Sequence, residues 1–425
     1  MQTNYMLNPG PKVLFQALIY GLAALYLASC FTPLHLHIDS VRYYNIKDCL
    51  EFGCEKGSFA DTDYLPYGYT ALLILLSKLG VLSAFSIVLV NCFYIFGALW
   101  LLKKLLTEQV HPLLLVSVAL LNWTIIKFAA HPLSEMQYIF FSSASLYCFH
   151  RYIKKKSFVS LGFAFLFALL TTLTRAVGIS LVGALCAGIV WQHKDELLRI
   201  IKKNKLVLVV LALVLVVVVF FARQLKLVDY TSLLKEPLEQ GIGNFVLTNL
   251  RWHFTEITEV FLNIPFLKVQ GYVPGGMGKT IFVLLGILLY LWFLLTMFSK
   301  RSTIPAFIRI YLVFYSLIIF NWPYYDPRFW VPVLPLMVAV MLQAPFNRTA
   351  LTRLFGRVYF AVYAILGLVA VAYGLYVGLD KERFARQHAA GYYRNEYEIH
   401  FFGKTLSDTA VQKDSNVIEI LKRYD

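Results

Sequence analysis

Four short segments of this sequence hold side chains of the kind that move protons and grip phosphate. "HIDSVRYYN" carries Asp39, Arg42 and Tyr43. "AAHPLSE" carries His131 and Glu135, "LTRAVG" carries Arg175, and "NWPYYDPRFW" carries Asp326 and Arg328. A carboxylate placed against a hydroxyl can take its proton as the new bond forms, a contribution of roughly 10²–10⁴-fold. Asp39 is the candidate for that role. Glu135 is the candidate second acid, positioning an acceptor or holding a metal. An arginine fork holds a phosphate through two parallel hydrogen bonds, which lysine cannot do. Arg175 and Arg328 are the candidates for stabilising a departing phosphate, with His131 and Arg42 as further contacts. Each has a plainer alternative. Asp39 can cap a helix or pair with Arg42, and Glu135 suits a helix dipole. Arg328 can pair with Asp326, and Arg175 can snorkel to headgroups.

The elements that position these residues are set by an apolar chain. Its 425 residues are 59% hydrophobic and 15% charged, with a mean hydropathy of +0.65. Soluble domains run at roughly 45–50% apolar and about 25% charged. The expected fold class is an all-α polytopic membrane protein. Runs long enough to cross the bilayer fall at 12–31, 84–102, 111–128, 133–150, 157–174, 176–192, 206–223, 280–298, 305–320, 330–345 and 358–379. That predicts about eleven transmembrane helices. Pro66–Leu79 is too short to span and is expected as an interfacial or re-entrant helix.

Charge then assigns sides. With the N-terminus cytoplasmic, 18 basic and 3 acidic residues fall inside, and the remaining 21 of each sign fall outside. The whole net charge of +15 therefore follows from the positive-inside rule, and nucleic-acid binding is not needed. The first span has no small-residue cleavage site and reads as an uncleaved anchor. One membrane domain, 1–379, carries outer loops 32–83 and 224–279; residues 380–425 form a polar outer-face tail. The C-terminus is thus outside, and a bacterial inner membrane fits the Lys-rich inner loops. Cys49 and Cys54 can pair if the outer side is oxidising.

Leu250, Phe254, Ile257 and Phe261 repeat at helical spacing within the long loop, with Arg251, Glu256 and Glu259 elsewhere on the wheel. That predicts an amphipathic helix on the membrane surface or one packed into an outer core. "PGGMGKT", 274–280, is not a phosphate loop: Val273 stands where the motif needs glycine, and an apolar run follows. The Asp61/Asp63 pair is expected to be a solvated loop, and no metal ligand set is assigned.

An ordered set of these motifs resembles the GT-C superfamily of integral-membrane glycosyltransferases. Asp39 just past span one, Asp39 to Tyr43–Tyr44 as D-x-x-x-Y-Y, and "YLPYGYTALL" from Tyr64 are the first part. "HPLSEMQYIFF" resembles the second acidic motif and "DPRFWVPVLPLMVAV" the late arginine before a proline-rich span. The likeness covers about 380 residues. It implies a sugar donor on a polyprenyl phosphate and a lipid, glycan or protein acceptor. Asp39 would be the general base, with inversion at the anomeric carbon. Arg175, Arg328, His131, Arg42, Tyr43 and Tyr67 would surround lipid phosphate and substrate. The sequence departs from the pattern in lacking a second acid at 40–41 and a large soluble C-terminal domain. No cofactor is fixed; a divalent cation is compatible. The rivals are a transporter or lipid flippase, and a polysaccharide polymerase or ligase.

Overall fold

The computed structural model describes residues 9–194, 233–239, 241–272, 276–300, 302–343, 350–406 and 413–425. The described residues are helical throughout, with no strand. The helices are α1 (Pro9–Ala28), α2 (Ile38–Phe52), α3 (Phe59–Thr62), α4 (Tyr67–Lys78), α5 (Ala84–Leu105), α6 (Pro112–Leu120), α7 (Trp123–Ala129), α8 (Glu135–Lys155), α9 (Phe158–Thr174) and α10 (Ile179–Gln192). They continue as α11 (Lys235–Glu239), α12 (Ile242–Leu262), α13 (Phe266–Gln270), α14 (Met277–Phe298), α15 (Ala306–Phe320) and α16 (Leu334–Met341). The last are α17 (Ala350–Gly378), α18 (Lys381–Gln387), α19 (Arg394–Phe402) and α20 (Ser415–Tyr424).

Three of these, α5, α14 and α17, are long and apolar enough to cross a membrane. The pair α6–α7 makes a fourth if its 65° bend is taken as one broken span. The other described apolar segments are shorter or more polar, so among the described residues three or four helices have the length and composition of full spans, and the remaining expected spans are not shown as such. The reasons are local. The run 111–128 is interrupted at Asn122, whose side chain starts α7 by accepting from Thr124 N–H. The run 330–345 opens as a 3₁₀ turn over Pro327–Val333, because Pro332 and Pro335 withhold backbone donors. α8 buries Ser142, Ser143 and Ser145, which lowers its hydropathy. The run 206–223 lies outside the described residues.

Close packing depends on small residues at helix crossings. α12 runs antiparallel to α14: Thr258 Oγ1 donates to Phe282 O at 2.6 Å, and Gly286 lies against Phe254. A Cβ at Gly286 would meet the Phe254 carbonyl oxygen at 1.9 Å. So α12 packs into the core from His253 onward, while Ile242, Val246 and Leu247 in its first turns are exposed. Ile257 and Phe261 are buried, and so are Glu256 and Glu259, which the wheel had set apart. The segment 224–279 thus contains a helix that follows α14 along its length.

Within 380–425, the described residues 380–406 and 413–425 fold against the start of the chain. Tyr397 Oη donates to Leu34 O at 2.6 Å and accepts from Leu36 N–H at 2.9 Å. The Asp425 side chain accepts from Leu34 N–H, and Tyr424 stacks on Tyr44. Lys47, fully buried in α2, reaches Asp48, Glu51 and Tyr424. Cys49 and Cys54 are disulfide-bonded just past this contact.

Candidate active site

Asp39 sits in the first turn of α2. A reciprocal cap starts that helix: His37 accepts from Asp39 N–H, and Ser40 Oγ accepts from His37 N–H. Glu135 occupies the first turn of α8. Both acids therefore stand at helix N-termini, where the dipole favours negative charge. Arg175 is the extended residue between α9 and the turn Ala176–Gly178 that leads into α10. Arg328 is in the 3₁₀ turn Pro327–Val333, which Asp326 caps by accepting the Arg328 N–H.

These four helix ends meet. Arg328 Nη2 donates to Asp39 Oδ2 at 2.5 Å. Its Nε lies 3.1 Å from Asp326 Oδ2 and 3.4 Å from Glu135 Oε1. Arg175 pairs with the same Glu135 oxygen. Arg42 bonds Asp39 Oδ1 at 2.9 Å and grips Asp63 with both ends of its fork, at 2.6 and 2.8 Å. Four carboxylates and three guanidiniums thus form one continuous ion network. Its centre is dry: Glu135 is 1% exposed and Arg328 7%, whereas Asp39 keeps 18%. Glu135 Oε2 is buried with no hydrogen-bond partner. Burial pushes the Asp39 carboxyl up, but Arg328 and Arg42 outweigh it and hold it well below the usual carboxylate range. In this arrangement Asp39 is ionised and a weak base.

The surrounding shell fixes the arginines. Ser134 Oγ accepts from Tyr43 Oη at 3.1 Å and from Arg175 at 3.4 Å. The Tyr43 ring packs edge-on against Tyr69. Gly68, in the first turn of α4, touches the backbone just before Arg175; a Cβ there would lie 2.6 Å from Leu173 C. Tyr67 is half-buried beside it.

The network includes Asp39, Arg42, Tyr43, Glu135, Arg175 and Arg328; Tyr67 opens α4, one position before Gly68. His131 is not part of it. Its ring clusters with His35 and His388 at centroid distances of 5.3 and 5.5 Å. Asp63 is not solvated but buried against Arg42, while Asp61 is exposed and accepts from Gly57 N–H.

Glu256, which helical spacing placed off the apolar stripe and to which the sequence assigned no site role, is buried beside the network. Its carboxylate accepts Asp326 N–H at 2.7 Å and Trp330 Nε1–H at 2.9 Å, and meets His253 Nδ1 at 2.7 Å. It holds both ends of the Arg328 turn. The signal available was the H-x-x-E spacing of His253 and Glu256, which puts both on one helix face. Glu259, one turn on, accepts from Tyr325 Oη at 2.8 Å.

Protein-family models give no match to this chain, and a search of curated proteins gives none either.

Proposed function

We propose that the chain is an inverting glycosyltransferase that moves a sugar from a polyprenyl-phosphate donor to an acceptor hydroxyl at the outer membrane face. One observation carries this reading: a carboxylate that keeps some exposure, Asp39, is bonded directly to a buried arginine, Arg328, which also faces Glu135. That pairs a proton acceptor with a phosphate-binding fork in one network.

In the proposed reaction the acceptor oxygen bonds to the anomeric carbon as that carbon's bond to the phosphate oxygen breaks. The electron pair leaves with the phosphate, and the acceptor proton goes to Asp39. Arg328 and Arg175 neutralise the charge that grows on the departing phosphate. The donor phosphate competes with Asp39 for Arg328. When the fork turns to phosphate, Asp39 loses a neighbour that depresses its basicity and becomes a stronger base. Glu135 keeps the two arginines together, and its free Oε2 can orient the acceptor. A divalent cation is not required, because the guanidiniums already supply positive charge on the oxygens it would use.

Binding of sugar-free polyprenyl phosphate to the purified protein tests the assignment of the fork. Arg328→Lys should weaken binding at least tenfold, and Asp39→Asn should leave it unchanged or tighten it. Wild-type affinity in both Arg328→Lys and Arg175→Lys would sink the phosphate assignment.

A further inference from the structure

Three histidines from distant parts of the chain meet in one cluster. His35 comes from the link between α1 and α2, His131 from the turn before α8, and His388 from the segment after α18. One ring nitrogen of each lies within 4.8 Å of the other two. His131 and His388 are 2% and 5% exposed.

Hydrogen bonds fix the proton on each ring. His131 Nδ1 donates to Lys127 O at 2.8 Å, and His388 Nε2 donates to Leu36 O at 3.0 Å. Thr32 Oγ1 spends its own hydrogen on Ser29 O at 2.8 Å, so it accepts from His35 Nε2 at 2.9 Å. Lone pairs are thereby left on His35 Nδ1, His131 Nε2 and His388 Nδ1. The His131 Nε2 atom is buried without a hydrogen-bond partner. A buried, unpartnered His131 nitrogen with a ring nitrogen of each of two further histidines within 4.8 Å calls for a cation.

We propose that His35, His131 and His388 bind one late first-row divalent cation, zinc foremost, which ties the two acid-bearing segments to the C-terminal cap. Neutral imidazoles with no carboxylate or thiolate select Zn²⁺, Co²⁺, Ni²⁺ or Cu²⁺ over Mg²⁺, Ca²⁺ and Mn²⁺. Backbone carbonyls on the second ring nitrogen are the usual support for a histidine ligand. Zinc–nitrogen bonds of about 2.0–2.1 Å in a tetrahedral site place the nitrogens roughly 3.4 Å apart. The rings must draw together on binding, and the link holding His35 can follow. His35 precedes Asp39 by four positions, and His131 precedes Glu135 by four. The centre is thus a positioning element for both acids, whatever reaction they perform.

The test uses the full chain, carrying a tag without histidine and stripped with a chelator. Zn²⁺ titration should show one tight site, a higher unfolding midpoint with Zn²⁺ but not Mg²⁺, and Co²⁺ visible bands of four-coordinate geometry. His388→Ala and the milder His35→Gln should each weaken Zn²⁺ at least tenfold and abolish those bands. No tight zinc site in the wild type overturns the proposal. So do variants that bind zinc and give the cobalt spectrum of the wild type. None of these readouts depends on glycosyl transfer.

Discussion

Replacing Glu135 with glutamine keeps the side-chain shape and removes one charge from the driest part of the network. Arg175 pairs with Glu135, and among the described residues no other carboxylate lies within ion-pair distance of it. Arg328 would keep Asp39 and Asp326. The loss therefore falls on Arg175, left buried beside a second guanidinium that repels it. Breaking a buried pair on one side costs about 3–5 kcal/mol. At roughly 2.1 cal/mol/K per residue, a 425-residue chain has an unfolding entropy near ~0.9 kcal/mol/K, so the midpoint should fall by roughly 3–6 °C. Thermal unfolding in detergent reads this directly. In Glu135→Gln/Arg175→Met the stranded charge is gone, so the double variant should be less destabilised than the sum of the singles by about 2 kcal/mol or more. A Glu135→Gln protein within 1 kcal/mol of wild type, or strictly additive singles, would refute the buried-pair reasoning.

Gly68→Ala forces a Cβ to within 2.6 Å of Leu173 C. It should displace the Arg175 turn and destabilise by about 1–3 kcal/mol, whereas alanine at the open Gly162, inside α9, should be neutral or stabilise by up to about 1 kcal/mol, by the same unfolding assay. Glu256→Ala strands the Trp330 indole N–H and the Asp326 amide, at about 1–3 kcal/mol each. Trp330 fluorescence should change, and phosphate binding at Arg328 should weaken. Asp39 is held below its ordinary value, so its contribution to stability is complete above about pH 4 and is lost as pH falls through the lower folded value. The stability gap between wild type and Asp39→Asn should stay constant from pH 8 to about pH 5 and close only in stronger acid. A gap that closes near pH 6 would mean that the arginines do not hold this carboxylate.

The sequence made the helix positions legible because apolar runs, prolines and glycines act locally. It did not show how many helices reach across a bilayer, since Asn122 and the Pro332–Pro335 pair break runs that hydropathy alone counts as continuous. The chemistry at Asp39, Glu135, Arg175 and Arg328 was legible as four residue types near one surface. Their convergence was not, because it depends on Gly68 letting α4 touch the Arg175 turn and on Glu256 anchoring the Arg328 turn from 70 positions away. Helical spacing alone left α12 either on the membrane surface or packed into an outer core, since Glu256 and Glu259 sat off its apolar stripe. Both acids are buried because each has backbone and side-chain donors from another element, and pairing of that kind leaves no periodic trace. His131 was misplaced for a related reason. Its partners His35 and His388 lie 96 and 257 residues away, and nothing in local spacing joins them.

The central claim is that Asp39 deprotonates an acceptor while Arg328 receives the lipid phosphate. Purified protein should be reconstituted with a panel of polyprenyl-phosphate hexoses and pentoses, and release of polyprenyl phosphate measured for wild type and Asp39→Asn. Wild type should turn over at least one donor, and Asp39→Asn should lose at least 100-fold with donor binding retained. No turnover of any lipid-phosphate sugar, or a full rate in Asp39→Asn, would contradict the claim.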